Sequence, residues 1–144
     1  MRKKIILLVT ILAFITILAG MCVVWREVFS STRIYEQIWN IDFPSNMKEV
    51  ASAKTDNSFH GDGIRYAVFD VPEVGEFTED FRREKNSQIE EMFVEYLKAM
   101  NKQLSIQPDW ENEYVWKYMQ QYDDSLYLVF DQKEQRLFIL QITM

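Results

Sequence analysis

The sequence of 144 residues predicts an α+β fold, in which an N-terminal transmembrane helix is followed by a small antiparallel sheet packed on one long helix. Three observations predict this class. Residues 5–25 carry no charged side chain, and residues 89–100 carry apolar side chains at helical spacing. The remaining segments contain short apolar or alternating runs, separated by turn residues, that are typical of strands.

The average composition conceals a division of the chain. Mean hydropathy is -0.22 and the formal net charge is -6. However, all 22 acidic residues and 13 of the 16 basic residues follow position 25, which gives residues 26–144 a net charge of -9. Few glycines and prolines, one cysteine and 15% aromatic residues exclude collagen, a disulfide scaffold and a disordered acidic tail. The acidic charge also argues against a nucleic acid as partner, because it repels phosphate groups.

The uncharged stretch at 5–25 is long enough to cross a membrane. A helix of this length, at about 1.5 Å per residue, extends about 31 Å, which matches the hydrocarbon thickness of a bilayer. A secretory signal peptide has a shorter apolar region. We therefore expect an uncleaved anchor in contact with the lipid bilayer, in which Trp25 lies at the membrane interface. Residues that represent this anchor are Ile5, Leu12, Leu18, Val24 and Trp25.

Two alternatives remain open for this stretch. The segment Leu18-Ala19-Gly20 resembles a weak cleavage site, after which the domain would be secreted freely. Cys22 is close to the position of a lipid-modified cysteine, but Met21 separates it from the small residue that should precede it directly. The apolar run continues past both features, and this favours the uncleaved anchor.

The charges on either side of the anchor predict its orientation. Three basic residues and no acid stand before it, whereas the bases that follow are accompanied by Glu27 and Glu36. Positive charge favours the cytoplasmic side, so the N-terminus is expected in the cytoplasm and the C-terminal domain outside the cell membrane. The predicted organisation is a cytoplasmic tail at 1–4, a transmembrane anchor at 5–25, a juxtamembrane stalk helix within 26–44 and an extracytoplasmic α+β domain at 45–144.

The first elements after the anchor are a short helix and a hairpin. Thr32–Ile41 carries apolar side chains at helical spacing and precedes Pro44, which a helix cannot include. Met47–Ala53 and Ile64–Val71 are predicted strands. The glycine- and aspartate-rich segment between them is predicted to form the turn of a hairpin.

One long helix follows the hairpin. Its apolar stripe comprises Ile89, Met92, Phe93, Tyr96, Leu97 and Met100. Ser87 and Glu90 have the spacing of a capping box, which predicts the start of the helix, although Thr78 offers an earlier one. Asn101 is the predicted stop.

The last third of the chain is rich in predicted strands. Glu113–Met119 fits both a strand and a helix by spacing, and its aromatic and β-branched residues favour a strand. Leu126–Phe130 and Leu137–Thr143 are apolar runs joined by a polar loop of hairpin length. The resulting order, β-β-α-β-β-β, predicts a two-layer domain with a cystatin-like outline.

Both faces of the final hairpin are largely apolar, and one helix covers one face of a sheet. The second face therefore needs a cover, for which the stalk helix, a second copy of the chain and a partner protein are the candidates. Cover from within the chain is the simplest expectation. The functional alternative is that part of this face binds a protein.

His60 is the chain's single histidine and lies in the predicted turn, with Asp56 and Asp62 close to it in sequence. Carboxylates beside an imidazole can ligate a cation, but Ala67 stands where a calcium loop requires glutamate. The two neighbouring glycines favour an ordinary turn. We therefore predict no metal, no cofactor and no catalytic residue. The alternative is a weak hydrolase that uses aspartate and glutamate side chains with His60.

Aromatic residues are dense between positions 110 and 122. Most aromatic side chains of a small domain lie in its core, but tyrosine and tryptophan are also frequent at protein interfaces. The density predicts contact with a protein partner, or self-association, through Trp110, Tyr114, Trp116, Tyr118 and Tyr122.

Two segments, Phe59–Tyr66 and Leu126–Asp131, resemble parts of the uncharacterised, membrane-anchored small proteins of low-GC Gram-positive bacteria. The resemblance extends over about residues 34–144. It implies location and class, because that group has no assigned activity. The sequence thus predicts a single-pass, extracytoplasmic binding module, with service as an immunity or exclusion protein, or as an accessory subunit of a cell-envelope complex, as alternatives.

Overall fold

The computed structural model describes residues 14–16, 31–55, 62–100 and 104–144. Residues 14–16 are helical, and the representative anchor residues Ile5, Leu12, Leu18, Val24 and Trp25 lie outside the described ranges. None of the helices within these ranges has the length and apolar character needed to cross a membrane. The chain divides into two compact units, residues 1–41 and 42–144.

The second unit has the predicted order of elements, and each strand lies within two residues of its predicted position at either end. The described elements are α1 (Ser31–Trp39), β1 (Lys48–Lys54), β2 (Gly63–Asp70), α2 (Ser87–Ala99), β3 (Tyr114–Gln121), β4 (Asp124–Asp131) and β5 (Arg136–Thr143). The ambiguous aromatic segment is therefore a strand, β3, as its residue types indicated. The α+β class with an antiparallel sheet is confirmed.

α1 belongs to the first unit and is shorter than predicted. Tyr35 and Trp39, one helical turn apart, are buried, whereas Ile34 and Ile38 are exposed. The helix ends at Trp39 because Asn40 adopts a left-handed conformation, with φ of 51°. Asparagine tolerates this conformation better than most residues and commonly follows the end of a helix.

The five strands form one antiparallel sheet in the order β1-β2-β5-β4-β3. β5 lies at the centre and pairs with β2 and with β4, whereas β1 and β3 are the two edges. The β2–β5 pairing runs from Gly63 opposite Thr143 to Asp70 opposite Arg136. At the latter end, Arg136 Nε donates to Asp70 Oδ1 over 3.0 Å.

The N-cap of α2 lies one residue earlier than the sequence predicts. Asn86, not Ser87, is the N-cap, since its side-chain oxygen accepts from the backbone N–H groups of Gln88 and Ile89. The predicted capping box at Ser87 is thus corrected to an asparagine cap. Asparagine is among the most favourable N-cap residues because its short side chain reaches these two donors.

One face of the sheet packs against α2, and we call it the helix face. The whole predicted apolar stripe of α2 lies in this core, with Phe93 fully buried at its centre. From the sheet, the helix face contributes Tyr66, Val68, Tyr114, Trp116, Tyr127, Val129, Phe138, Leu140 and Ile142.

The opposite face of the sheet, which we call the far face, is buried as well. Its side chains alternate with those of the helix face, and the most deeply buried are Ala67, Phe69, Leu126, Leu128, Phe130, Leu137 and Ile139. The expectation that this apolar face is covered is confirmed. Because its side chains are already inaccessible in a single chain, the suggestion that the far face presents an exposed binding surface is wrong for these residues.

Candidate functional site

The two edges of the sheet differ in how far they are protected against pairing with another strand. β1 begins and ends with a lysine, Lys48 and Lys54, and a register shift between Glu49 and Ala51 interrupts its pairing with β2. Lysines and bulges are the usual protections of a natural edge strand. β3 has an uninterrupted register with β4 and one lysine, Lys117.

A short bridge covers part of the β3 edge. Arg82 N donates to Trp116 O over 2.8 Å, and Trp116 N donates to Arg82 O over 2.9 Å. Backbone groups alternate in direction along an antiparallel strand, so Tyr118 and Gln120 direct their N–H and C=O groups outward, as Trp116 does. Across the described ranges, no backbone group pairs with Tyr118 or Gln120 on this side.

A cavity of about 460 Å³ lies where this edge meets the helix face. The side chains of Ile89 and Met92 on α2 form one wall. The aromatic residues of the sheet form another: Trp116, Tyr118 and Tyr127, with the rings of the latter two 4.9 Å apart between centroids. We call this cavity the edge cleft.

Three charged side chains also line the edge cleft: Asp80, Arg82 and Lys117. Lys117 Nζ donates to Asp80 Oδ2, so these two charges offset one another. The Arg82 guanidinium carbon lies 5.0 Å from the centre of the Trp116 ring, which places the cation over an aromatic face. No carboxylate within the described part of the chain forms an ion pair with Arg82.

Tyr114 fixes the start of α2 against β3 and thereby shapes the cleft wall. Its hydroxyl donates to Glu90 Oε1 over 2.6 Å and accepts from the backbone N–H of Asn86 over 2.9 Å. Burial and the hydrogen bond to the Glu90 carboxylate raise the pKa of Tyr114 to about 12. The phenol is thus neutral and able to donate at physiological pH.

The five predicted partner-binding aromatic residues divide into two groups. Tyr114 and Trp116 are 3% and 5% exposed, and Trp110 packs edge-on between Phe93 and Tyr114. The structure corrects the prediction for Tyr114, whose ring is buried in the core and does not line the edge cleft. Trp116 is largely buried but forms part of the cleft wall, and Trp110 is half-buried against the core. Tyr118 is 42% exposed and Tyr122 is 98% exposed, so these two are accessible.

The predicted turn cluster is described in part. Asp56 and His60 lie outside the described residues, and Asp62 is half-buried directly before β2. Within residues 14–16, 31–55, 62–100 and 104–144, no group of three or more histidine, cysteine, aspartate or glutamate side chains is arranged to hold a metal ion.

Sequence reasoning missed the charged residues of the cleft. Arg82 belongs to a stretch that reads as a polar approach to the helix, and its partner Trp116 is distant in sequence. A single arginine in a charged segment gives no local signal for a cation over a tryptophan.

Comparison of the chain with protein-family models, with curated proteins and with solved structures finds no match.

Proposed function

We propose that this protein is a membrane-anchored, extracytoplasmic module that binds another protein at the edge cleft. The observation that carries the proposal is the cleft itself, a cavity of about 460 Å³ beside an open strand edge. Its aromatic walls supply apolar contact area, and arginine, tyrosine and tryptophan are the residues most frequent at the energetic centres of protein interfaces. Tyr118 and Arg82 combine these chemistries at one accessible place.

The proposal of a membrane anchor rests on the sequence. The uncharged stretch at 5–25, the basic residues before it and the net charge of -9 after it support a single crossing with the domain outside. A module fixed to the membrane surface meets partners in the same membrane at high effective concentration. Service as an immunity or exclusion protein, and service as an accessory subunit of an envelope complex, both fit such a module.

Binding is favoured over catalysis by the chemistry of the cleft. Its charged side chains are an ion pair, Asp80 and Lys117, and the Arg82 cation. A hydrolytic mechanism requires a positioned base beside a nucleophile or an activated water. The rest of the lining is aromatic, aliphatic and the side-chain amides of Asn86 and Gln88, which suits the recognition of a peptide and its side chains.

Site-specific photo-crosslinking in native membranes tests the binding proposal. A photoreactive phenylalanine at Tyr118 should capture a discrete partner, because this position faces the cleft. The same residue at Val94, which is 55% exposed on α2, is the matched control. A partner captured equally at both positions, or at neither, would contradict binding at the edge cleft.

Labelling with a membrane-impermeant maleimide tests the proposed topology. In a Cys22→Ser background, a Ser87→Cys variant should react in intact cells, since Ser87 is exposed at the start of α2. A Lys3→Cys variant should react after permeabilisation alone. Reaction of both variants in intact cells, or release of the domain into the medium, would contradict an uncleaved anchor of this orientation.

A further inference from the structure

We propose that the edge cleft binds the carboxyl-terminal residues of a partner protein, which add to β3 as a short antiparallel strand and place their terminal carboxylate beside Arg82. This inference rests on the proposed binding function and specifies the chemistry of its ligand. It combines the outward backbone groups of β3, the block formed at Trp116, and the Arg82 cation, which has no acidic partner among the described residues.

The open edge supplies the backbone contacts. Tyr118 and Gln120 each direct one N–H and one C=O away from β4, and an added strand can pair with all four groups. Adding a strand to an exposed edge is an established mode of peptide recognition, in which main-chain hydrogen bonds give affinity and side-chain pockets give specificity. β1, the opposite edge, is unsuited to this mode because of its bulge and its lysines.

The Arg82 bridge determines which part of a peptide fits. An incoming strand pairs with Gln120 and Tyr118 but cannot continue to Trp116, because Arg82 already forms both backbone hydrogen bonds there. A strand antiparallel to β3 runs from the Gln120 end towards the Trp116 end. The carboxyl end of the peptide therefore reaches Arg82. A peptide that ends at this point fits, whereas a longer one would meet the backbone of Arg82.

Charge complementarity selects a carboxylate at this point. In the described part of the chain, Arg82 lacks an acidic partner, whereas Lys117 is held by Asp80. The Arg82 side chain lies on the helix face, since its guanidinium stacks on Trp116. A terminal carboxylate at the block meets this cation as a charge-assisted hydrogen-bond acceptor, for which the planar guanidinium is well suited.

The same geometry orients the peptide side chains. Residues directly opposite each other in a sheet project to the same face. The peptide residue opposite Tyr118 therefore projects to the helix face, into the cavity lined by Tyr118, Tyr127 and Met92. An apolar terminal residue, such as leucine, fits this environment.

Peptide binding to the full-length chain in detergent tests the carboxylate. The probe is a six-residue peptide of alternating threonine and leucine with leucine at its free carboxyl terminus, and the comparison is its carboxyl-terminal amide. We expect the acid to bind at least about tenfold more tightly. The Arg82→Gln variant should bind acid and amide equally, whereas Arg83→Gln, the matched control on the neighbouring arginine, should keep the preference. Equal binding of the two peptides to the native chain, or binding of neither, would overturn the proposal.

Backbone methylation tests strand addition independently. The leucines at the sixth and fourth positions of the probe are expected opposite Tyr118 and Gln120, so N-methylation of either of these two should weaken binding about tenfold or more, while N-methylation of the threonines should not. A Gln120→Pro variant removes one outward N–H without removing a β4 hydrogen bond, and it should weaken binding as well. Gln120→Ala, which keeps the N–H, is its control. Equal sensitivity at leucine and threonine positions would rule out the added strand.

Loss of the carboxyl-terminal strand can be distinguished from loss of protein binding at the edge cleft. If photo-crosslinking from Tyr118 captures a partner whose yield is unchanged by Gln120→Pro and Arg82→Gln, the binding function stands and the carboxyl-terminal strand is overturned. Sedimentation of the full-length chain gives the remaining outcome. A dimer that Gln120→Pro dissociates would show a second copy on the edge and would also overturn the proposal.

Discussion

The backbone of Tyr122 is strained, and its side chain is not buried in return. It occupies the first position of the two-residue turn between β3 and β4 with φ of 53°, and its side chain is 98% exposed. Glycine is the residue usually found at a hairpin position of this kind, because a side chain costs about 1–2 kcal/mol in the left-handed conformation. The proposed partner contact would use this exposed aromatic surface at the end of β3.

Replacing Tyr122 with glycine should therefore stabilise the domain while weakening the interaction with its partner. We expect an increase in the free energy of unfolding of up to about 1 kcal/mol, because the strain is relieved and no buried contact is lost. Urea denaturation of the full-length chain measures it. Asp123→Gly is the control and should destabilise, since Asp123 has no positive φ to relieve. A Tyr122→Gly variant less stable than the native chain would contradict the strain argument.

The N-cap of α2 permits a direct comparison between a sequence-based and a structure-based assignment. Asn86→Ala should lower the free energy of unfolding by about 1 kcal/mol, because the N–H groups of Gln88 and Ile89 lose their acceptor. Ser87→Ala should change it little. Thermal unfolding followed by circular dichroism distinguishes the two, and a larger effect at Ser87 would restore the capping box that the sequence suggested.

At the scale of elements, α2 depends on the burial of one stripe rather than on its average hydrophobicity. Phe93 is fully buried against the helix face and contacts Trp110 edge-on, whereas its neighbour Val94 is exposed. Phe93→Ala should cost about 3–5 kcal/mol through lost burial and the cavity left behind. Val94→Ala should stay within about 0.5 kcal/mol of the native chain. Equal losses in urea denaturation would mean that α2 does not pack as described.

The elements were predictable because their signals are local. The alternation of β2 and the stripe of α2 can be read within a dozen residues, and both appear in the structure at the predicted positions. The C-terminal end of α1 was less predictable. Asn40 ends the helix by adopting a left-handed conformation, and an asparagine at this position does not by itself require that conformation. Pro44 marks the last possible end of the helix and not its actual one.

The candidate site was predictable only in part, because it is assembled from distant segments. Tyr118 could be proposed from aromatic density, but the same density also led to Tyr114, whose ring is buried in the core. The distinction depends on packing against α2, because Tyr114 forms hydrogen bonds with Asn86 and Glu90 at the start of that helix, whereas the Tyr118 hydroxyl bonds to Gln120 within β3. Such a pairing between segments far apart in sequence leaves no periodic trace.

For the whole molecule, buried tyrosines make the free energy of unfolding depend on pH in the alkaline range. Burial raises the pKa of Tyr66 and of Tyr127, and burial with the Glu90 hydrogen bond raises that of Tyr114 to about 12. The unfolded chain loses these protons near pH 10, about two pH units before the folded chain does at Tyr114. The resulting stabilisation is complete below about pH 10 and is lost as the pH rises towards 12.

The midpoint of urea denaturation should accordingly be almost constant between about pH 7 and 9 and fall between about pH 10 and 12. Tyr66→Phe removes one of the responsible hydroxyls, together with its hydrogen bond to Ile106 O. This variant should start from a lower stability at neutral pH and show a shallower alkaline fall. Parallel pH profiles for the two proteins would show that Tyr66 does not contribute.

The central position of β5 determines when this sheet can be completed. Of the five strands of this sheet β5 comes last in the chain, yet it joins the β1–β2 hairpin to the β3–β4 hairpin. A ribosome delivers the chain in sequence order, so both hairpins are made before the strand that connects them. Completion of the sheet therefore waits until β5 has been made. A product terminated before residue 136 would contain two hairpins without a common strand, each exposing apolar side chains to the proteases and chaperones of the cell.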